Sequence, residues 1–306
     1  LAGLIALQIL PQPQGSGAPA DWVLASMVPH VLSSTLGRPP VTPAYENALM
    51  RNGIIPMTSA AAGLDSGGET AKLTLQREAL ETLEPAQRLQ WAREQFGSGF
   101  AMTTSFGIQS SVLLHMLAGL PGSESVPVIW VDTGYLPPET YRYAKTLCDR
   151  LGLQPIVVQS SLSPARMEAL HGRLWETGSD SDLDLYLRLR KVEPLESALD
   201  RLTVRCWGSG VRSGQTDHRS TMTVLDPIRG RLSLRPLLHW TNRDIFYYMQ
   251  EHELPQHPLF DQGYSTVGDW HSSAPDGVDS EGRSTRFRGQ RQECGIHVPG
   301  MMGDGI

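Results

Sequence analysis

Between Phe100 and Trp207 the chain repeats one alternation, and that repeat limits its architecture more than any other feature. Short apolar runs at Phe100 to Thr104, Val126 to Val131, Pro155 to Val158 and Val204 to Trp207 have strand length. Between them lie helical patterns: a mostly apolar Ser110 to Ala118, an amphipathic Pro138 to Leu151 with Tyr141, Ala144, Leu147 and Leu151 on one side, and a segment leading to Leu202. Strands separated by helices predict βαβ units, and so an α/β fold with a parallel sheet covered by helices on both faces. Sheets of this kind receive ligands outside the carboxyl ends of their strands.

The flanks fit around that unit. Lys72 to Phe96 reads as helix, broken near Glu84-Pro85, with Leu73, Ala79, Leu80 and Leu83, then Leu89, Ala92 and Phe96 at helical spacing. Asn242 to His252 reads as a helix with Ile245, Phe246 and Met249 on its apolar face. From Leu254 onward the chain is rich in Pro and Gly, the composition of loops and lids. Residues 1–56 begin without Met, carry Pro-Gln-Pro-Gln-Gly-Ser-Gly and lack sustained periodicity; they are expected to be peripheral, with Met57 as a start. The apolar Leu1 to Leu10 has no basic residue before it and makes a poor signal peptide. The expected division is therefore a peripheral segment 1–56, a catalytic α/β domain 57–272, and a flexible tail 273–306.

Charge and cysteine count exclude several classes. A net charge of −6 over 306 residues argues against a general nucleic-acid binder, whose affinity comes from phosphate neutralisation. A basic cleft for a small anion stays compatible with it. Three cysteines at irregular spacing form neither a disulfide framework nor a zinc or iron–sulfur set, so no metal is expected and a reducing, cytoplasmic setting fits. No apolar run reaches the roughly 18 residues of a membrane span.

Three places carry chemistry. The first strand runs into Thr103-Thr104-Ser105-Phe106-Gly107-Ile108-Gln109-Ser110-Ser111 and then a helix, which sets backbone N–H groups and hydroxyls where a phosphate or sulfate would sit. The Lys of a Walker loop is missing, and Ser110 serves equally as a simple helix cap. The second strand ends in Val131-Asp132-Thr133-Gly134, whose acid suits either a ribose or the turn itself. Near the C-terminus, Cys294 follows Arg283, Arg286, Arg288 and Arg291, cations that would favour a thiolate or hold an anion against it. Cys148 falls on the apolar side of its helix, and Cys206 in a strand.

Five motifs in order resemble one family. Thr-Thr-Ser-Phe-Gly-Ile-Gln-Ser-Ser, Val-Asp-Thr-Gly-Tyr-Leu-Pro-Pro-Glu-Thr, Lys191-Val192-Glu193-Pro194-Leu195, Gly263-Tyr264-Ser265-Thr266-Val267-Gly268-Asp269 and Glu293-Cys294-Gly295-Ile296-His297 follow one another as in phosphoadenylylsulfate (PAPS) reductases, across about residues 70–298. The resemblance implies an adenine-nucleotide α-hydrolase-like, Rossmann-like fold in which Ser105, Phe106, Gly107, Ser110 and Ser111 form a modified pyrophosphate loop. It also implies that Asp132 and Thr133 meet the nucleotide, that Lys191, Arg283 and Arg286 face its sulfate and phosphates, and that Arg212 and Arg219 help hold it. Arg188 or Arg190 is the expected contact for a 3′-phosphate. Cluster-bearing adenylylsulfate (APS) reductases carry a Cys-Cys pair and a later Cys-x-x-Cys, whereas Leu187-Arg188-Leu189-Arg190 stands before Lys191 here and three thiols are too few for the cluster.

The implied reaction is reduction of PAPS to sulfite and adenosine 3′,5′-bisphosphate. Cys294 would be the nucleophile and take up an S-sulfo group, and His297 would tune or relay protons beside it. No bound cofactor is implied; thioredoxin or glutaredoxin would supply electrons. The sequence leaves the oligomeric state open, a homodimer included. Alternatives are a cluster-free APS reductase, an ATP-using adenylyltransferase of the same fold, and a nucleotide-binding regulator without catalysis.

Overall fold

The computed structural model describes residues 66–278 and 282–298; the segment 1–56 and the start at Met57 lie outside the described residues. Two helices, Ser66–Glu81 and Pro85–Phe96, open the described chain. The break falls at Glu84-Pro85, as expected: Glu84 closes a capping box with Gln87, and Pro85 stands at a helix start, where its missing N–H costs nothing.

Six strands form one sheet in the order β3-β2-β1-β4-β6-β5. They are β1 (Phe100–Thr104), β2 (Val128–Val131), β3 (Ile156–Val158), β4 (Cys206–Gly208), β5 (Leu225–Ile228) and β6 (Arg231–Leu234). Every pairing is parallel except β5 with β6. The pleat of β1 sorts its side chains between two cores. Phe100 and Met102 face a core shared with the helices Pro85–Phe96, Ser110–Ala118, Pro138–Leu151 and Asn242–Glu251. Ala101 faces the opposite core with Ile129, Trp207 and the Leu195, Ala198 and Leu199 stripe of the helix Glu193–Arg201. Both faces are thus covered, and the expected adenine-nucleotide α-hydrolase-like α/β architecture is the one observed.

Several details differ from expectation. Val126 and Pro127 precede β2, and β4 begins only at Cys206. The β5–β6 hairpin was not anticipated: Pro227 breaks the apolar run, which an edge strand tolerates because nothing pairs on its outer side. Its two-residue turn, Arg229-Gly230, has positive φ at both positions (46° and 75°), the primed geometry that matches strand twist. In the helix Pro138–Leu151 the buried residues are Thr140, Tyr143, Ala144 and Leu147, while Tyr141 turns outward and donates to Asp132 Oδ1 at 2.6 Å. Phe246, expected on an apolar face, is 50% exposed; Ile245 and Met249, one turn apart, are the buried pair.

The stretch before Leu202 is not one helix. Asp180–Leu187 and Glu193–Arg201 are joined by a π-helical turn, Arg188–Val192, the wide turn often found at functional sites. Among the described residues no helix is long and apolar enough to cross a membrane.

Candidate active site

The strand order reverses beside β1: β2 follows it on one side and β4 lies on the other. A crevice opens at such a switch point. Here it is a cavity of about 820 Å³, walled by the loops after β1 and β4, the π turn, and the segments 265–268 and 283–297. Thr103 Oγ1 donates to the Gly208 carbonyl at 3.0 Å and ties the two central strands together at its mouth.

In the loop after β1, Ser105, Gly107 and Ser110 line the cavity. Phe106 does not: it takes a left-handed φ of 47° and buries its ring edge-on against Trp130, with centroids 4.8 Å apart. That conformation is costly without glycine, and it turns the flanking Ser105 and Gly107 toward the space. Ser111 is buried outside the lining. The helix Ser110–Ala118 begins beside the cavity with no side-chain cap at Gln109, and its first N–H, that of Ser110, is bonded to the Gly107 carbonyl at 3.1 Å.

At the end of β2, Asp132 and Thr133 part ways. Asp132 is outside the lining and accepts from the Gly134 N–H (2.8 Å), Tyr141 Oη (2.6 Å) and Gln159 Nε2 (2.7 Å), so its carboxylate is spent on the turn. Thr133 lines the cavity and donates from Oγ1 to Asp269 Oδ1 at 2.5 Å. The π turn likewise separates two adjacent cations. Lys191 reaches the cavity, where its Nζ lies 2.6 Å from Asp269 Oδ2. Arg190 is buried, and its guanidinium donates to the carbonyls of Thr133 and Leu162. Arg188 lies on the surface beside Glu193 at 3.6 Å. Neither Arg188 nor Arg190, the residues expected beside a 3′-phosphate, is among those lining the cavity.

Asp269 is an acid for which sequence reading supplied no role. It is fully buried and also accepts from Tyr186 Oη at 3.0 Å. Burial alone would raise its pKa, but Lys191, His271 and the Thr133 hydroxyl outweigh that and hold the carboxyl well below the usual range. His271, stacked on Trp175 at 3.9 Å, is pushed down to about 4 by burial, with Lys191 and Arg286 adding to the shift against the pull of Asp269.

The lining is basic. Lys191, Arg212, Arg219, Arg283 and Arg286 stand against Asp217 and Asp276, five cations to two acids in a chain of net charge −6. Arg212 donates to Gln109 Oε1, and burial followed by the repulsion of Arg219 lowers it to about 10, still charged at neutral pH. Arg283 is also brought to about 10 by burial and Arg219, while the Cys294 and Glu293 charges oppose the shift. Arg286 is buried, and that burial lowers its pKa against the pull of Asp269. It packs so closely on Gly268 that a Cβ built there would collide with its guanidinium.

Residues 282–298 lie against this wall. Thr285, Arg286, Phe287 and His297 are buried, and left-handed φ values at Phe287 and Arg288 (46° and 55°) turn the segment back. Cys294 is half-buried and faces the cavity. Glu293, its neighbour, is gripped by Arg219 through Nε–Oε1 (2.9 Å) and Nη2–Oε2 (2.8 Å). Beyond the cysteine, Arg229 donates to the carbonyls of Ile296 (2.8 Å) and Val298 (3.2 Å) and is itself paired with Glu196 at 2.6 Å. His297 lines the cavity and stacks on Trp207, with centroids 5.2 Å apart. Burial, then Arg219 and Arg235, holds its pKa well below the ordinary value, so it is a neutral imidazole there.

Of the other thiols, Cys206 is buried in β4 and Cys148 packs partly against the core. Among the described residues no group of three or more His, Cys, Asp or Glu is placed to hold a metal. The arrangement brings one thiol, a neutral imidazole, five cations and a helix N-terminus around a single space, a site able to hold a polyanion against a nucleophile.

Comparison with known proteins agrees. The family model of the phosphoadenosine phosphosulfate reductase domain matches residues 99–275. Phosphoadenosine 5′-phosphosulfate reductase of a Synechococcus strain is 55% identical over 213 residues, 69% of this chain and 91% of that protein. The Synechocystis protein of the same name is 47% identical over 74% of this chain and 90% of its own length. The crystal structure of phosphoadenylyl-sulfate (PAPS) reductase from Candida auris in a phosphate complex superposes with a TM-score of 0.58 at 27% identity, over 71% of this chain and 100% of that one. A fold, a basic thiol-bearing cavity and these matches converge: the chain belongs to the phosphoadenosine phosphosulfate reductase family.

Proposed function

We propose that this chain reduces 3′-phosphoadenylyl sulfate to sulfite and adenosine 3′,5′-bisphosphate through an S-sulfocysteine on Cys294, as the reductive step of sulfate assimilation. The observation that carries this reading is the shared cavity of Cys294, Lys191, Arg283 and Arg286 with the helix N-terminus after Ser110. Relatives named for that reaction support it.

In the first step the Cys294 thiolate attacks the sulfonate sulfur. An S–S bond forms, the S–O bond to the 5′-phosphate breaks, and the bisphosphate leaves with that electron pair. The leaving group is good, so the site's work is alignment, with N–H donors from Lys191, and charge neutralisation by Arg283 and Arg286. Neutral His297 acts as a hydrogen-bonding wall rather than as a cation. In the second step a thiolate of a dithiol carrier, thioredoxin or glutaredoxin, attacks Cys294 Sγ and sulfite departs with the S–S pair. The carrier's second thiol then frees Cys294, so no resolving cysteine is needed in this chain. The 282–298 segment opens for this step and closes for the first. Three unpaired thiols fit work in the reducing cytoplasm.

The test is intact-mass analysis of the reduced protein mixed with PAPS. One added SO₃, located on Cys294 and removed by thioredoxin with release of sulfite, is the expected result. Addition at Cys148 or Cys206, or none, would overturn the reading.

A further inference from the structure

Arg219 was expected to hold the nucleotide, yet its side chain is committed elsewhere. Its fork-shaped edge, Nε and Nη2, is filled by Glu293, and its Nη1 donates to Gln215 Oε1. That edge is the one with which an arginine grips a phosphate in two-point fashion. Thr216 completes the grip: its hydroxyl accepts from the Arg219 N–H at 3.1 Å and donates to Glu293 Oε1 at 2.8 Å. The pair is sheltered, with the Arg219 side chain 5% exposed and Glu293 10%. Burial would raise the Glu293 carboxyl, but the hydrogen bonds and charge of Arg219, with Arg283 behind, bring it down to about 2, so it is ionised throughout the neutral range.

We propose that Glu293 is a positioning residue for the nucleophile, and that Arg219 serves the catalytic strap and not the phosphates. The clasp Thr216–Arg219–Glu293 fixes the backbone one residue before Cys294, while Arg229 fixes it two and four residues after, through the Ile296 and Val298 carbonyls. A thiol held from both sides along the chain is held in direction as well as in place. In-line attack on a sulfonate needs that direction, and a shift of about 1 Å in such alignment costs roughly a hundredfold in rate. A solvent-exposed strap held only by its apolar contacts would not supply it. This inference rests on the proposed role of Cys294, but the clasp is also a property of the free protein.

The test compares wild type, Glu293→Gln and Arg219→Lys; the second keeps the charge and loses the fork. Three quantities are read: hydrogen–deuterium exchange of 291–298 in the free protein, calorimetric affinity for adenosine 3′,5′-bisphosphate, and the single-turnover rate of sulfonate uptake from PAPS. Both variants are expected to raise exchange in 291–298 roughly tenfold, as a local opening becomes easier. Both should slow sulfonate uptake roughly a hundredfold and leave bisphosphate affinity unchanged. Weakened bisphosphate binding in Arg219→Lys with 291–298 still protected would return Arg219 to the nucleotide and overturn the proposal. Tighter binding in Glu293→Gln would make the carboxylate a placeholder that substrate displaces, which also overturns it. If wild type takes up no sulfonate, the proposed reaction fails, while the exchange measurement still decides the clasp.

Discussion

The Lys191 ammonium lies 2.6 Å from a carboxylate oxygen of Asp269, and Asp269 has no exposed surface at all. The pair is therefore neutral as a unit, and what Lys191 offers the cavity is a fixed set of N–H donors. Thr133, another lining residue, leans on the same carboxylate.

Asp269→Asn strips the charge from that carboxylate and leaves the lysine beside a neutral amide in a sheltered place. Breaking a buried pair from one side costs about 3–5 kcal/mol, so denaturant unfolding should show a loss of that order. Turnover should fall with it, and Asp269→Ala should be worse on both measures. A variant as stable and active as wild type would show that Lys191 does not depend on Asp269.

The three thiols should behave differently. Burial pushes Cys206 far up and Cys148 up as well, so neutral alkylation mapped by peptide mass should mark Cys294 first. Cys294→Ser should still bind adenosine 3′,5′-bisphosphate and form no sulfite. Cys148→Ser should keep full turnover. Cys206→Ser should also turn over but lose about 1–3 kcal/mol, because its hydroxyl enters a site without a ready partner.

Gly268→Ala should damage catalysis without unfolding the chain. The added methyl meets the Arg286 guanidinium, which must swing away from the cavity wall. A drop of roughly tenfold or more in kcat/KM for PAPS is expected, in proportion to the loss of one charge-assisted contact. An unchanged value would show that Arg286 does not meet substrate.

Acid should weaken the fold through His257. Its Nδ1 accepts from the Leu259 N–H at 3.2 Å and Nε2 faces Thr140 Oγ1 at 3.1 Å, so the ring is a neutral tautomer with its proton on Nε2. Burial lowers its pKa from 6.5 to about 4, against a small pull from Glu139. The unfolded chain binds the proton first, so stability is full above about 6.5 and falls as pH drops toward 4, by on the order of 3 kcal/mol. Urea unfolding at pH 7.5 and 5 checks this; His257→Gln should flatten the difference.

Between PAPS and APS, kcat/KM should favour PAPS, since Arg212, Arg283 and Arg286 remain in the lining beyond the Lys191–Asp269 and Arg219–Glu293 pairs, for a ligand with one phosphate more. A clear preference for APS would move the substrate assignment to the cluster-free alternative.

What could be read in advance was what depends on neighbours in sequence. Phe100–Thr104, Ser110–Ala118 and Pro138–Leu151 are where local pattern placed them, because strand and helix periods are written in adjacent residues. The Ser/Gly loop and the lone terminal cysteine were legible for a different reason, since neither has a packing purpose that competes with chemistry. Asp269 was not legible: an acid in a Gly-rich loop looks solvated until Lys191, Thr133 and Tyr186 are brought to it from three other segments. Arg190 and Lys191 were equally opaque, two like charges side by side that only a π turn sends to opposite tasks. The acid beside Cys294, Glu293, carried a faint signal, as a single carboxylate among arginines needs one of them.

Arg229 holds the end of the strap by the oxygens of Ile296 and Val298, which every amino acid carries. That anchor is therefore blind to which side chains stand at those two places. Val298 can be exchanged, for instance to attach a probe, without loosening it, whereas a change at Arg229 on the distant hairpin would release that end of the strap.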